Sequence, residues 1–129
     1  VACWGDNRNG QLGDGSTSFS TTPKTIAGFG DVAQIAAGRK HTCAVTLDGA
    51  LYCWGRNEEG QLGDGTNTER HVPTLVEGLS GVQQVALGDL HTCALLDSGA
   101  VRCFGSNTNG QLGDGTTDDA DRPTYVRWE

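Results

Sequence analysis

Apolar and polar positions alternate over short blocks along this chain, and glycines divide the blocks. Residues 41–46 (His-Thr-Cys-Ala-Val-Thr) and 50–54 (Ala-Leu-Tyr-Cys-Trp) place apolar side chains on both faces of an extended backbone, Val45 and Leu51 on one, Ala44 and Trp54 on the other. Residues 91–96 and 100–104 follow the same pattern. Blocks this short predict strands covered on both sides rather than helices. Between the members of each pair stand Leu47-Asp48-Gly49 and Asp97-Ser98-Gly99, three-residue loops with Gly last, where a left-handed backbone closes a β-hairpin. That turn sets the register. Thr46 faces Ala50, and counting outward Cys43 faces Cys53 and Cys93 faces Cys103. These cysteines fall at non-hydrogen-bonded sites, where Cα atoms lie about 4.5 Å apart and a disulfide is feasible.

Ahead of each hairpin, residues 32–37 and 82–87 are rich in Val and Ala and predict a further buried strand, ended by Gly38 or Gly88. Residues 24–27 and 74–77, each just after a proline, predict a fourth strand at the sheet edge. The whole set repeats. Cys3-Trp4-Gly5 recurs as Cys53-Trp54-Gly55 and Cys103-Phe104-Gly105, an interval of 50 residues, and Gly10-Gln11-Leu12-Gly13-Asp14-Gly15 returns unchanged at 60–65 and 110–115. His41-Thr42-Cys43-Ala44 returns at 91–94, and Pro23, Pro73 and Pro123 keep step. Residues 3–52 and 53–102 are therefore two full repeats and 103–129 a partial one, all within a single partial propeller, 1–129. Four antiparallel strands per 50 residues, covered on both faces, describe an all-β fold of β-propeller blades. The chain lacks the Gly-Gly doublet of kelch repeats and the helical period of solenoids.

The segment Cys-Trp-Gly-x-Asn-x-x-Gly-Gln-Leu-Gly-Asp-Gly, followed by Gly-x-x-His-Thr, resembles the repeat of the regulator of chromosome condensation family. The resemblance spans the whole chain. It implies a larger propeller, commonly seven-bladed, of which this sequence would supply about two and a half blades, the remaining blades coming from the parent chain. Two positions depart from the pattern: Trp128 stands where Gly28 and Gly78 predict Gly, and Cys3 has no upstream partner, which predicts a preceding half-blade.

Composition narrows the functional classes. Of 129 residues, 36% are hydrophobic and 20 are Gly, as suits short strands and many turns. Nine Lys and Arg against sixteen Asp and Glu give a net charge of −7 without a basic cluster, so nucleic acid and anionic membrane are poor partners. No apolar run approaches the length of a membrane span. The chain has no Met, which is read as a fragment or a processed product. Matched cysteine pairs predict two disulfides, Cys43–Cys53 and Cys93–Cys103, and an extracellular or cell-surface location.

No constellation predicts a cofactor, a metal or catalysis. His41, Cys43 and Cys53 share a hairpin face, as do His91, Cys93 and Cys103, but a fourth zinc ligand is missing. Residues 60–65 lack the Lys-Ser/Thr of a phosphate loop, and residues 118–121 lack the alternating oxygen ligands of a calcium loop and read as a solvated loop. His41 and His91 are copied between repeats, as scaffold residues are, whereas an active site is one asymmetric constellation.

Positions that differ between repeats point elsewhere. They cluster at 16–22, 66–72 and 116–122, at Arg39-Lys40 against Asp89-Leu90, and at Asp6, Arg8 and Asn9 against Arg56, Glu58 and Glu59. Loops of this kind gather on one face of a propeller. The reading is a non-enzymatic, protein-binding module of an exported bacterial repeat protein, with Phe19, Arg39, Lys40, Arg56, Glu69, Arg70 and Asp89 as contact residues. The resemblance implies alternatives: a guanine-nucleotide exchange factor for a small GTPase, as in the founding eukaryotic member; a secreted enzyme inhibitor, as in a bacterial relative that blocks β-lactamase; or a surface adhesion repeat.

Overall fold

Ten strands and no helix make up the described residues, 1–128, of a computed structural model. In chain order they are β1 (Ala2–Gly5), β2 (Ser20–Thr25), β3 (Val32–Ala37), β4 (His41–Thr46), β5 (Leu51–Gly55), β6 (Arg70–Leu75), β7 (Val82–Leu87), β8 (His91–Leu96), β9 (Val101–Gly105) and β10 (Ala120–Tyr125). They form an antiparallel pair β1-β2 and two four-stranded antiparallel meanders, β3-β4-β5-β6 and β7-β8-β9-β10. These are propeller blades. The sheets run out of frame with the repeat that begins at Cys3, because each hairpin crosses a repeat boundary.

The turn glycines act as their position predicts. Gly49 and Gly99 have φ of 84° and 87°, and their amides donate to the Thr46 and Leu96 carbonyls at 2.9 Å. The register that follows pairs Cys43 with Cys53 and Cys93 with Cys103, at a Cα separation of 4.1 Å in both. Both pairs are disulfides.

Strand β4 is buried along its whole length because it lies between neighbouring blades. One face, Cys43 and Val45 with Leu51 and Cys53, packs against Val82, Val85, Ala94 and Phe104 of the next blade. On the other, Trp54 stacks on Phe29, ring centroids 5.8 Å apart. Strand β8, with no blade beyond it among the described residues, is only partly covered. Burial on both faces, the feature that separates a blade from a half-wet sheet, is therefore realised where a neighbour is present.

The outer strands differ from expectation. Two of them begin at Ser20 and Arg70, four residues before the predicted starts at 24 and 74, a third begins at Ala120, and all three take in the prolines. Cys53 pairs with Thr74 but Gly55 pairs with Arg70, so Trp54 alone stands opposite His71, Val72 and Pro73. This bulge lifts the proline, which has no N–H to give, out of the hydrogen-bond ladder. The same shift occurs between β1 and β2 and between β9 and β10. Residues 20–22, 70–72 and 120–122 are thus strand rather than loop. The acidic stretch 118–121 is corrected likewise: Ala120 and Asp121 begin β10, and the Asp119 carboxylate accepts the Asn107 amide at 2.7 Å.

Candidate protein-binding end of the blades

In an antiparallel meander, alternate connections lie at the same end of the sheet. The β3–β4 and β7–β8 turns, holding Arg39-Lys40 and Asp89-Leu90, therefore share an end with the long β1–β2, β5–β6 and β9–β10 connections. The backbones interlock there: Arg56 N donates to Lys40 O at 2.9 Å, and Ser106 N to Leu90 O at 2.8 Å. All seven residues predicted from sequence lie at this end or at the strand start beside it.

Each long connection is built around a buried asparagine. Asn57 Oδ1 accepts the Leu62 amide at 3.0 Å, and Asn57 Nδ2 donates to the Thr66 and Thr68 carbonyls at 3.0 and 2.9 Å. Asn7 and Asn107 repeat the arrangement onto Leu12 and Ser16 and onto Leu112 and Thr116. A side-chain amide can serve as donor and acceptor at once, which a carboxylate cannot. The motif Asn-x-x-Gly-Gln-Leu-Gly-Asp-Gly is thus a scaffold that rigidifies the loop. Its Gln carbonyl also joins blades: Gln11 O accepts Trp54 Nε1 at 2.9 Å and Thr42 Oγ1 at 2.8 Å. Gly13 is required for this approach, since a Cβ there would stand 2.7 Å from Trp54 Nε1.

Three of the predicted residues are engaged internally. Arg56 pairs with Glu58 and Glu59, both at 2.9 Å. Arg70 Nε donates to Asp64 at 2.8 Å, the service that Lys24 performs for Asp14 in the preceding unit. Glu69 accepts Asn9 Nδ2 at 2.8 Å across the blade boundary and His71 Nε2 at 2.7 Å. Partial burial pushes the Glu69 carboxyl up, but the bonds from His71 and Asn9 outweigh it and hold the group below its ordinary value. The Lys24 ammonium, helped by Ser16, holds Asp14 far below the usual carboxylate range.

The others face solvent. Phe19 is 73% exposed, Arg39 and Asp89 are exposed, and Lys40 is half-buried, none with a side-chain hydrogen bond or ion pair among the described residues. The end is thus a rigid, internally paired surface carrying a few free side chains of opposite charge and one aromatic ring. The bracing roles of Asn7, Asn57 and Asn107 are not legible from the sequence pattern alone, although their exact recurrence is a signal of them, and nothing in the sequence points to the Arg102 guanidinium stacked 3.6 Å over the Tyr125 ring. The thiolates that a zinc reading required are joined in the disulfides.

Sequence profiles of the regulator of chromosome condensation (RCC1) repeat match residues 1–45 and 48–95, and a second profile of the same repeat matches 32–61 and 82–111. The ultraviolet-B receptor UVR8 of Arabidopsis thaliana is 50% identical over 54 residues, which is 40% of this chain and 12% of the receptor. An RCC2 homolog of Danio rerio is 47% identical over 51 residues, 38% of this chain and 10% of that protein. Among solved structures, Prp20p of Saccharomyces cerevisiae, described with its binding to Gsp1p and histones, superposes with a TM-score of 0.88 at 26% identity, covering 98% of this chain and 34% of its own. Human WBSCR16 gives 0.84 at 27% identity, covering 97% and 34%. The chain thus spans about a third of these solved structures and about a tenth of the curated relatives.

Proposed function

Because the chain belongs to the regulator of chromosome condensation repeat family of β-propellers, we propose that it is a non-enzymatic, protein-binding module of an exported bacterial repeat protein. The observation that carries the reading is the segregation of its residues. Positions identical between repeats are consumed by turns, blade packing and buried asparagines, while freely exposed positions that differ, Phe19, Arg39 and Asp89, share one end of the blades. A surface of this composition suits a folded protein partner: an aromatic anchor with charges of both signs around it. Arg56, Glu69 and Arg70 would hold the platform, and Lys40 would lie at its margin.

Prp20p offers a precedent for protein binding on this fold, since its structure is described with binding to Gsp1p and histones, and yeast RCC1 (Prp20) also bound to Kap60. Export is supported by the two disulfides, which reducing compartments disfavour. A second reading, regulation of a small GTPase by nucleotide exchange, is what the resemblance to the founding member of the family implies.

The test compares the full-length protein with Phe19→Ala, Arg39→Ala and Asp89→Lys variants in capture from the host's own medium and cell extract, with affinities then measured on the purified partner. Loss of at least tenfold in affinity on substitution supports the reading. A partner whose affinity is indifferent to all three would refute it. Capture of a GTPase whose nucleotide release the protein accelerates would establish the second.

A further inference from the structure

The groove between the two four-stranded blades differs in chemistry from the groove that precedes it in the chain. In each, a Gly-Asp-Gly turn packs on the outer hairpin of the following blade: Gly15 N donates to His71 O at 2.9 Å in the first, and Gly65 N to Asp121 O at 2.8 Å in the second. Around the first stand Phe29, Tyr52 and Val72, and the Phe29 ring centre lies 5.8 Å from that of Tyr52. That groove holds an apolar plug. Fifty residues on, the same three positions are Leu79, Arg102 and Arg122. The plug has lost its ring, and two cations stand where a tyrosine and a valine stood.

We propose that this second groove is a binding site for a carboxylate group, held between Arg102 and Arg122 and carried by a small organic acid or by an acidic side chain of a peptide. The inference is independent of the partner-binding reading above. The groove offers a space of about 420 Å³, lined in part by Asp64, Gly65, Glu77, Gly78, Arg102 and Arg122. Its walls come from the β5–β6 and β6–β7 connections on one side and from β9 and β10 on the other.

The first supporting observation is charge without a counter-ion. Arg8, Lys24, Arg56 and Arg70 each have a carboxylate oxygen at 2.8 or 2.9 Å, whereas Arg102 and Arg122 have no side-chain hydrogen bond or ion pair among the described residues. The second is a closed-off donor. Arg102 Nε is buried with no acceptor among the described residues, which is costly for a group that carries charge. A carboxylate taking two parallel bonds from the guanidinium edge that includes Nε would supply the acceptor. The third is preorganisation. Arg102 Cζ lies 3.6 Å from the centre of the Tyr125 ring, and the Arg122 guanidinium lies so close over Gly65 that a Cβ there would stand 2.8 Å from its Nη2. Stacking and close packing hold both cations in place, so less side-chain entropy is lost when an anion arrives.

Local charge selects the anion. Asp64 is already answered by Arg70 at 2.8 Å. Glu77 is exposed and unpaired among the described residues, so the two arginines against it leave a net of one positive charge on the groove. A singly charged carboxylate neutralises that charge, and a more highly charged phosphate overshoots it.

The test follows the Arg Nε–H signals of nitrogen-15-labelled protein by NMR at low salt. Acetate, a capped Ala-Glu-Ala peptide, its capped Ala-Gln-Ala analogue and inorganic phosphate are titrated in turn. The expected result is that acetate and the Glu peptide move the Arg102 and Arg122 signals along saturating curves, that the Gln peptide leaves them in place, and that phosphate binds more weakly than acetate. A Glu peptide that binds tighter than acetate assigns the groove to acidic side chains of peptides, and one that binds no tighter assigns it to small acids. Arg102→Gln should weaken binding about tenfold. Glu77→Gln should tighten it about threefold, a gain that a misfolded variant could not give. Unsaturated, linear shifts with both carboxylates, an equal response to the Gln peptide, tighter binding of phosphate than of acetate, or an affinity that neither substitution changes would each overturn the proposal.

Discussion

His41 Nε2 lies 2.9 Å from Thr92 Oγ1, a bond between the second strands of adjacent blades. Thr92 gives its only hydroxyl proton to the Gln61 carbonyl, so His41 must be the donor and carry its proton on Nε2. Its Nδ1 is buried without a partner among the described residues. The blades are therefore joined by a neutral histidine whose second ring nitrogen is shut off from water.

Stability should consequently fall on mild acidification. Burial, with the nearby His91 adding to it, pushes His41 down to about 4 from an ordinary 6.5. Between these values the unfolded chain binds a proton that the folded one refuses. The contribution is full above pH 6.5 and is lost as pH falls toward 4. Urea unfolding at pH 7.5 and pH 5 should differ by about 2 kcal/mol, and His41→Gln should abolish most of that difference. Working at pH 5 keeps the test above the range of the paired carboxylates.

Trp54 and Phe104 are equivalent residues with unequal bonds. Trp54 Nε1 donates to Gln11 O, whereas a phenyl ring has nothing to give Gln61 O. Trp54→Phe should destabilise by about 1 kcal/mol. Gly13→Ala should cost more, about 2 to 3 kcal/mol, since it combines a φ of +80° with the clash against the indole. Denaturation midpoints followed by circular dichroism check both.

Asn57 is the hub of its loop. Removing its side chain strands the buried Leu62 amide, so Asn57→Ala should cost about 2 to 3 kcal/mol. Asn57→Asp should not rescue it, because a carboxylate would face the Thr66 and Thr68 carbonyls and Asp64. Limited proteolysis should show early cleavage within 57–69 in both variants.

Each disulfide closes a short loop, the cysteines being 10 residues apart. Replacing either pair by alanines should lower stability by about 2 to 3 kcal/mol. Alkylation of the unreduced protein should modify one thiol, Cys3, and after reduction and unfolding all five.

Much of the fold was legible because its determinants are local. A glycine at the third position of a turn fixes the facing residue of a hairpin, and from Gly49 the pairing of Cys43 with Cys53 follows by counting. Repetition at 50 residues then shows which positions the backbone demands. The outer strands were misplaced because their first residues vary between repeats and are followed by proline. Only the bulge opposite Trp54 explains how proline is accommodated.

The contact surface divides the same way. The sequence pointed to connections for the variable residues, which holds for Phe19, Arg39, Lys40, Arg56, Glu69 and Asp89 but not for Arg70 at the start of β6, and strand alternation then assigned those connections to one end of the blades. Which of them remain free was decided by tertiary structure. Arg56, Glu69 and Arg70 read as available charges until the fold sets Glu59, Asn9 and Asp64 beside them, and Asn9 meets Glu69 from 60 residues away. Backbone geometry is a property of a few consecutive residues and can be read from them. Charge pairing depends on which loops are packed together, and only the packing of blade on blade decides that.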